Sequence, residues 1–515
     1  MNLLGKRRLW VVVAAGIGLA LFLGFTAQNK LGFPLDDAWI HQTYARNLAR
    51  YGRLEFIPGV SSAGSTSPLW TLLLALGYLL RVPYLLWAYL LGGLCLVWLG
   101  WSGMHLWRTL WPALADRDWL AGVVLVLTWP LLWAATSGME TLFFAALGLQ
   151  LVGWYAALAT ARAVPLRKVA QLGFFAGLFI LIRPDGLGLL LLVLIGLWLL
   201  PASFAERLRR EGVFLGTAVL PLLPYFLFNW QTSGTLWPNT LYAKQVEYAV
   251  ALAQPFIARL AQLLFLSLGG PASGWRGISS PHLLLLPGLV VAAWQALKAD
   301  WAQRRLLFLL PLLWASGHVF LYAWRLPVTF QHGRYLIPIM PIWVIYGLAG
   351  WVLVLLYSSS ESGRTLWLGQ QVARLSFTII MMFFLLQGAF AFATDVAIVE
   401  GEMVTVAEWL STNTPPGALI ASHDIGAIGY FAERPLLDLA GLISPEVIPL
   451  LQSETALAQY ILNSDAQYLV TAPGWPYSQI VNQPTTLLRF ATNFAITKEQ
   501  GLNNMTVYQL TVPES

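Results

Sequence analysis

Through its first 394 residues the chain alternates apolar runs with short polar stretches. The apolar runs lie at about 9–27, 84–106, 119–137, 141–161, 169–183, 186–202, 212–230, 281–297, 306–324, 335–357 and 374–394. A helix rises about 1.5 Å per residue, so about twenty apolar residues cross the hydrocarbon layer of a bilayer. The pattern predicts eleven membrane-spanning helices. The run 67–80 is too short to cross comfortably and reads as an interfacial helix on the outer face. From about residue 395 the pattern changes. Helical periodicity at 404–411 and 455–462 alternates with strand-like runs at 418–421, 436–439 and 468–471, and Thr414-Pro415-Pro416-Gly417 marks a turn. The expectation is a transmembrane domain over 1–394, followed by a small α/β domain over 395–515.

Composition sharpens this. Of 515 residues, 58% are hydrophobic and only 10% charged, against roughly 25% charged in a soluble domain. Too little charge is present to coat a soluble globule, and 13% aromatic content excludes disorder. Cys95 is the single cysteine, so no intramolecular disulfide or thiolate cluster forms. The six histidines show no ligand spacing, which disfavours a zinc site. The net charge of +6 resembles that of a nucleic-acid binder, but in a membrane protein Lys and Arg report topology first.

Lys6-Arg7-Arg8 precede the first run. A signal peptide is one reading, but the run is long and its cleavage pattern poor, so a retained helix with a cytoplasmic N-terminus is preferred. On that ladder one side collects Lys6, Arg7, Arg8, Arg108, Arg117, Arg162, Arg167, Lys168, Arg207, Arg209, Arg210, Lys298, Arg304, Arg305, Arg364 and Arg374, which is 16 of the 30 basic residues. This is the positive-inside pattern. It places residues 395–515 outside a plasma membrane.

Ionisable residues beside the lipid layer are costly and therefore functional candidates. Five polar stretches stand out: Asp36-Asp37, with His41 a turn later; Gly138-Met139-Glu140; Arg183-Pro184-Asp185-Gly186; Asn239 to Lys244, with Tyr242; and His332-Gly333-Arg334-Tyr335. All five fall on the outer side of the ladder, which predicts one outward-facing cavity. Each has a duller reading. The Asp pair suits a hydrated loop, Glu140 a helix cap, Arg183 and Asp185 a turn with a local ion pair, Arg334 an interfacial anchor and Lys244 an ordinary loop. Chemically, a carboxylate can take the proton of an acceptor hydroxyl. Guanidinium and ammonium groups can hold a phosphate leaving group.

With Phe33-Pro34-Leu35-Asp36-Asp37-Ala38-Trp39-Ile40, Tyr44-Ala45-Arg46-Asn47-Leu48, Gly64-Ser65-Thr66-Ser67-Pro68-Leu69-Trp70 and the four later stretches in this order, the chain resembles the GT-C class of polytopic membrane glycosyltransferases. Within that class it is most similar to proteins like the mycobacterial terminal arabinofuranosyltransferase. The resemblance implies a GT-C-like helical fold with an extracytoplasmic C-terminal domain. It implies inverting transfer of a hexosyl or pentosyl group from a polyprenyl-phosphate donor to a glycan, lipid or protein acceptor of the cell envelope, with or without a divalent metal. It also implies an acidic base in the first outer loop, Asp36 or Asp37, with Asp36 favoured. Arg183, Lys244 and Arg334 are the candidates for the donor phosphate. His41, Glu140, Asp185, Asn239, Tyr242, His332 and Tyr335 are the candidate cavity residues. Nucleic acid is not an expected partner. The rival reading is a transporter or flippase for a lipid-linked sugar, which would place its charges near the midplane.

The eleven-span ladder makes a direct prediction. In a chain whose Cys95 has been replaced, single cysteines at Ser360 and Ser453 should react with a membrane-impermeant thiol reagent from opposite sides. Labelling of both from one side overturns the ladder.

Overall fold

The structure, a computed structural model, describes residues 3–28, 30–272, 274–303, 305–358 and 364–510. Arg304 and Ser360, used above, lie outside the described residues. α1 (Leu3–Thr26) leads into α2 (Asp37–Tyr51), a hairpin of β1 (Glu55–Ile57) and β2 (Val60–Ser61), and the short apolar α3 (Pro68–Leu79). α4 (Tyr84–Leu110) precedes α5 (Asp118–Leu127) and α6 (Trp129–Thr136), which form one span bent by 57°. The bend has a local cause. Thr128 is extended, and Pro130 has no N–H to continue the helical ladder. Next come α7 (Thr141–Thr160), α8 (Leu166–Ile182), α9 (Leu187–Leu199) and a second bent pair, α10 (Phe204–Val219) with α11 (Leu223–Ser233). α12 (Asn239–Glu247), α13 (Phe256–Ser267), α14 (Leu286–Gln303), α15 (Leu309–Arg325), the single turn α16 (Phe330–Gly333), α17 (Met340–Ser358) and α18 (Arg364–Val399) complete the bundle.

Helices occupy all eleven apolar runs. Six are long and apolar enough to cross a membrane, and the two bent pairs raise this to eight among the described residues. The runs at 169–183, 186–202 and 306–324 are helices of 17, 13 and 17 residues. At one end of the bundle, Arg7 and Arg108 both pair with buried Asp118, joining the first two basic clusters of the sequence. The polar stretches singled out above lie at the other end.

Lipid supplies no hydrophobic drive between helices, so close backbone approach matters. Gly288 of α14 and Gly350 of α17 meet there. A Cβ on Gly350 would sit 1.8 Å from the Gly288 carbonyl oxygen. Gly92 of α4 lets the Ala135 carbonyl approach in the same way.

α18 does not stop at the end of the apolar run. It continues through a π-turn at Glu400–Val404 into α19 (Thr405–Asn413). Beyond it stands a five-stranded sheet of order β4-β3-β5-β7-β6, built from β3 (Ile420–Ser422), β4 (Leu436–Asp438), β5 (Tyr468–Thr471), β6 (Thr486–Ala491) and β7 (Thr506–Leu510). β4, β3 and β5 are parallel, while β7 and β6 are antiparallel additions at one edge. α20 (Glu454–Leu462) covers one face, with Leu457 and Ile461 buried against Leu469. β3 lies slightly later than its run at 418–421, and β6, β7 and α2 are elements the pattern did not signal. Buried Glu402, in the π-turn, ties the sheet to the helix. It accepts hydrogen bonds from Thr497 Oγ1 (2.6 Å), Asn504 Nδ2 (2.6 Å), the Met505 N–H (2.8 Å) and the Thr492 hydroxyl.

The Gly288–Gly350 contact leaves no room for a methyl group, whereas Gly216 has no atom within 4 Å of its Cβ position. Gly350→Ala should therefore lower the thermal unfolding midpoint of the solubilised protein, at a cost of about 1–3 kcal/mol. Gly216→Ala should leave the midpoint unchanged or slightly raised. Equal midpoints for both variants would contradict this packing.

Candidate functional site

The five polar stretches come together because each lies where a helix begins, ends or breaks. Gly138 (φ +75°) turns the chain between α6 and α7, and its carbonyl accepts a hydrogen bond from Trp70 Nε1 at 2.9 Å. A Cβ there would strike the Phe33 ring. This turn presents Glu140 at the start of α7. Pro184 keeps Arg183 in an extended conformation at the end of α8. Gln331 and His332 both adopt positive φ, with Gly333 after them, so the chain makes a left-handed turn just before Arg334. Two non-glycine residues in that region cost roughly 1–2 kcal/mol each. His332 is held by Asp395 at 2.8 Å and lies between the rings of Trp129 and Trp133.

These segments enclose a cavity of about 460 Å³ lined by Asp37, His41, Glu140, Arg183, Asp185, Lys244, Arg334 and Tyr335. Ser65, Thr66, Tyr322 and Arg325 line it too, and were not singled out as site residues from the sequence. Asp37 Oδ2 accepts from Arg334 Nη2 at 2.5 Å and Lys244 Nζ at 3.1 Å. Both cations also reach the Tyr335 hydroxyl, at 3.0 and 3.3 Å. Arg183 donates to Glu140 Oε1 (2.7 Å), Asp185 Oδ1 (3.2 Å) and Tyr322 Oη (2.8 Å), and Tyr322 donates to Asp185 Oδ2 (2.7 Å). His41 Nε2 lies 3.3 Å from Glu140 Oε2. Three carboxylates thus face four cations, of which Arg183, Lys244 and Arg334 are held by ion pairs with them. Burial raises the Asp37 carboxyl, but Lys244 and Arg334 outweigh that and hold it well below the usual range. Glu140 is lowered likewise, burial being outweighed by His41 and Arg183. Arg334 is 8% exposed, and its Nε and Nη1 are buried without a hydrogen-bond partner. They are donors not yet consumed.

Asp36 points elsewhere. Its two oxygens accept from the Gly426 and Ala427 N–H groups, both at 2.7 Å, at the start of the short helical segment that follows β3. Burial and the neighbouring Asp424 carboxylate push its pKa up, against the two N–H groups. Asn239, Tyr242 and His332 line neither this cavity nor the adjoining one described below. Asn239 is buried at the start of α12, its N–H bonded to the Ala63 carbonyl. Tyr242 is 39% exposed. Asp395, the partner of His332, had a signal that was passed over: it is the one acidic residue in the sequence of α18.

Among the described residues no three His, Cys, Asp or Glu side chains are grouped to hold a metal ion. Asp37 meets Lys244 and Arg334 through Oδ2.

Residues 394–508 match a family model described as a domain of unknown function (DUF8728). No curated protein matches the chain. Among solved structures, ArnT from Cupriavidus metallidurans bound to undecaprenyl phosphate is similar at 13% identity and a TM-score of 0.60, covering 97% of this chain and 98% of that one. The Archaeoglobus fulgidus oligosaccharyltransferase in complex with zinc and sulfate has 12% identity and a TM-score of 0.61, over 90% of this chain and 68% of its own. The archaeal oligosaccharyltransferase AglB from Archaeoglobus fulgidus, with an inhibitory peptide and a dolichol-phosphate, has 12% identity and a TM-score of 0.62, over 92% and 70%. The fold is GT-C-like: a polytopic helical bundle with a small C-terminal sheet.

The two aspartates should separate experimentally. Asp36→Ala removes the acceptors of two buried N–H groups, a loss of about 1–3 kcal/mol. Hydrogen exchange at Gly426 and Ala427 should accelerate by roughly 5- to 100-fold, while Asp37→Ala should leave those amides protected. Unchanged exchange in Asp36→Ala would show that this contact does not hold the segment.

Proposed function

We propose that the protein is an inverting glycosyltransferase that moves a sugar from a polyprenyl-phosphate donor to a cell-envelope glycan, lipid or protein acceptor. The observation that carries this reading is the Asp37–Lys244–Arg334 cluster at the head of the larger cavity. The cavity's apolar wall includes Leu187 and Leu191 of α9, which are also exposed on the bundle surface. A lipid-borne phosphate can enter there with its chain left in the bilayer. The similar ArnT structure holds undecaprenyl phosphate and the similar AglB structure holds dolichol-phosphate, which supports the same donor class here. Reaction on the outer face of a plasma membrane, with a cytoplasmic N-terminus and residues 395–515 outside, follows from the basic clusters. Residues 1–394 carry the donor site and 395–515 close it.

In the reaction the acceptor oxygen bonds to the anomeric carbon as the bond from that carbon to the phosphate oxygen breaks. One displacement inverts the centre. The acceptor proton passes to a carboxylate, and the electron pair leaves on the phosphate. Asp37 is the base in this reading, in preference to Asp36. It alone of the two lines the larger cavity, while both oxygens of Asp36 are taken by Gly426 and Ala427. Its low basicity while paired is relieved as the arriving phosphate draws Lys244 and the unpartnered Nε and Nη1 of Arg334 towards itself. Arg183, held by Glu140 and Asp185, is a further cation of the cavity.

Asp37→Asn keeps shape but loses the base, so turnover with radiolabelled polyprenyl-phosphate sugars should fall about 10²- to 10⁴-fold. Donor binding should be kept or strengthened, because Lys244 and Arg334 lose a competing carboxylate. Arg334→Ala should instead weaken donor binding by several kcal/mol, the cost of truncating a buried charge partner. Full turnover by both Asp36→Asn and Asp37→Asn would refute this chemistry and favour a transporter of the lipid-linked sugar.

A further inference from the structure

A second cavity of about 290 Å³ adjoins the first, and Asp37, Ile40, Lys244, Arg334 and Leu442 line both. Its far wall comes from the sheet: His423, Asp424 and Ile425 follow β3, and Ala440 and Leu442 follow β4. Its near wall includes Glu247 and Tyr248 at the end of α12, Gln331 of α16 and Asp395 of α18.

The chemistry of this wall differs from that of the first cavity. Five carboxylates, Asp36, Asp37, Glu247, Asp395 and Asp424, face it against two fixed cations, Lys244 and Arg334, and the oxygens of Asp36 are already taken by the Gly426 and Ala427 N–H groups. Glu247 pairs with His423 at 3.4 Å and Asp395 with His332 at 2.8 Å. The Asp424 carboxylate has no hydrogen bond or ion pair among the described residues. Burial pushes its pKa up, with Asp37 and Glu247 adding to the rise, while His423 opposes it and favours the ionised form. Gln331 Oε1 and Arg334 Nε and Nη1 are buried without partners, and Arg334 is more than nine-tenths buried. In the transferase reading the donor phosphate claims the Arg334 nitrogens, so what this cavity offers a second ligand is unspent acceptors, Asp424 and Gln331 Oε1. Hydroxyl groups satisfy them by donating. A carboxylate or phosphate would meet Asp424, whose charge His423 shares with Glu247 and offsets only in part.

We infer that this second cavity is the subsite for the hydroxyl-bearing end of the acceptor, that it takes an uncharged sugar, and that Asp424 turns away acceptors carrying an anionic group. The inference rests on the transferase reading. That reading puts the donor phosphate in the first cavity, which leaves Asp37 at the junction, within reach of an acceptor hydroxyl in the second.

The test uses the full chain in neutral-lipid nanodiscs and two oligosaccharide pools, one neutral and one anionic, prepared from the native cell envelope. Retention of each pool on immobilised protein is measured separately from transfer of radiolabel from polyprenyl-phosphate sugars. The wild type should retain and label the neutral pool over the anionic one. Asp424→Asn should reduce that discrimination about 10- to 50-fold, the scale of a like charge about 7–12 Å away at an effective dielectric near 20. Glu247→Gln should reduce it less, because His423 already offsets that charge. Wild-type retention of both pools alike, retention of neither, or discrimination unchanged in both variants overturns the inference. Charge-selective retention with no label transferred to any pool upholds the subsite and overturns the transferase reading instead.

Discussion

A charge beside the lipid layer is tolerable only when another charge stands against it. Asp37 is the point at which this constraint gathers the molecule. Its oxygen is shared by Arg334 and Lys244, so the start of α2, the middle of α12 and the turn before α17 must arrive at one place. Arg183 imposes the same condition on the start of α7 and the end of α8, through Glu140 and Asp185. Removing one member of such a buried set leaves its partner uncompensated, at roughly 3–5 kcal/mol. The fold at this end of the bundle is therefore fixed as much by charge balance as by packing.

In the transferase reading the same pairing prepares the site for chemistry. Ions that balance one another when the cavity is empty can be re-partitioned when a charged ligand enters. The left-handed turn at Gln331 and His332 belongs to this preparation. It runs against the backbone preference of both residues, and the His332–Asp395 pair and two tryptophan rings hold it in place. What that expenditure secures is the direction in which Arg334 leaves the chain.

Much of this was legible in the sequence, and the limits have physical causes. Apolar runs locate helices because lipid contact demands an unbroken stretch, so every run holds one. The helical run at 455–462 and the strand run at 468–471 fall on α20 and β5 for a similar reason: their periodicity records which face is buried. β6 was not legible. Four of its six residues are exposed or nearly so, and no alternation marks it. Nor could the sequence divide Asp36 from Asp37. Neighbouring residues on a helix point about 100° apart, and which direction faces the cavity is a matter of tertiary packing. Tyr322 sits within an apolar helix and looks like core until Arg183 and Asp185 are placed beside it.

The helix that carries the sheet out of the bundle sets a rule on chain length. From Arg364 to Asn413 the backbone runs without a loop, interrupted only by the π-turn at Glu400–Val404. A helix couples length to rotation, so one residue added to α18 would swing everything beyond it by about 100° and advance it by about 1.5 Å. The Gly426 and Ala427 amides would then miss Asp36, which stays behind in the bundle. Among homologues of this chain, insertions and deletions in this stretch should be confined to whole helical turns or to the π-turn, which can absorb a single residue by winding wider.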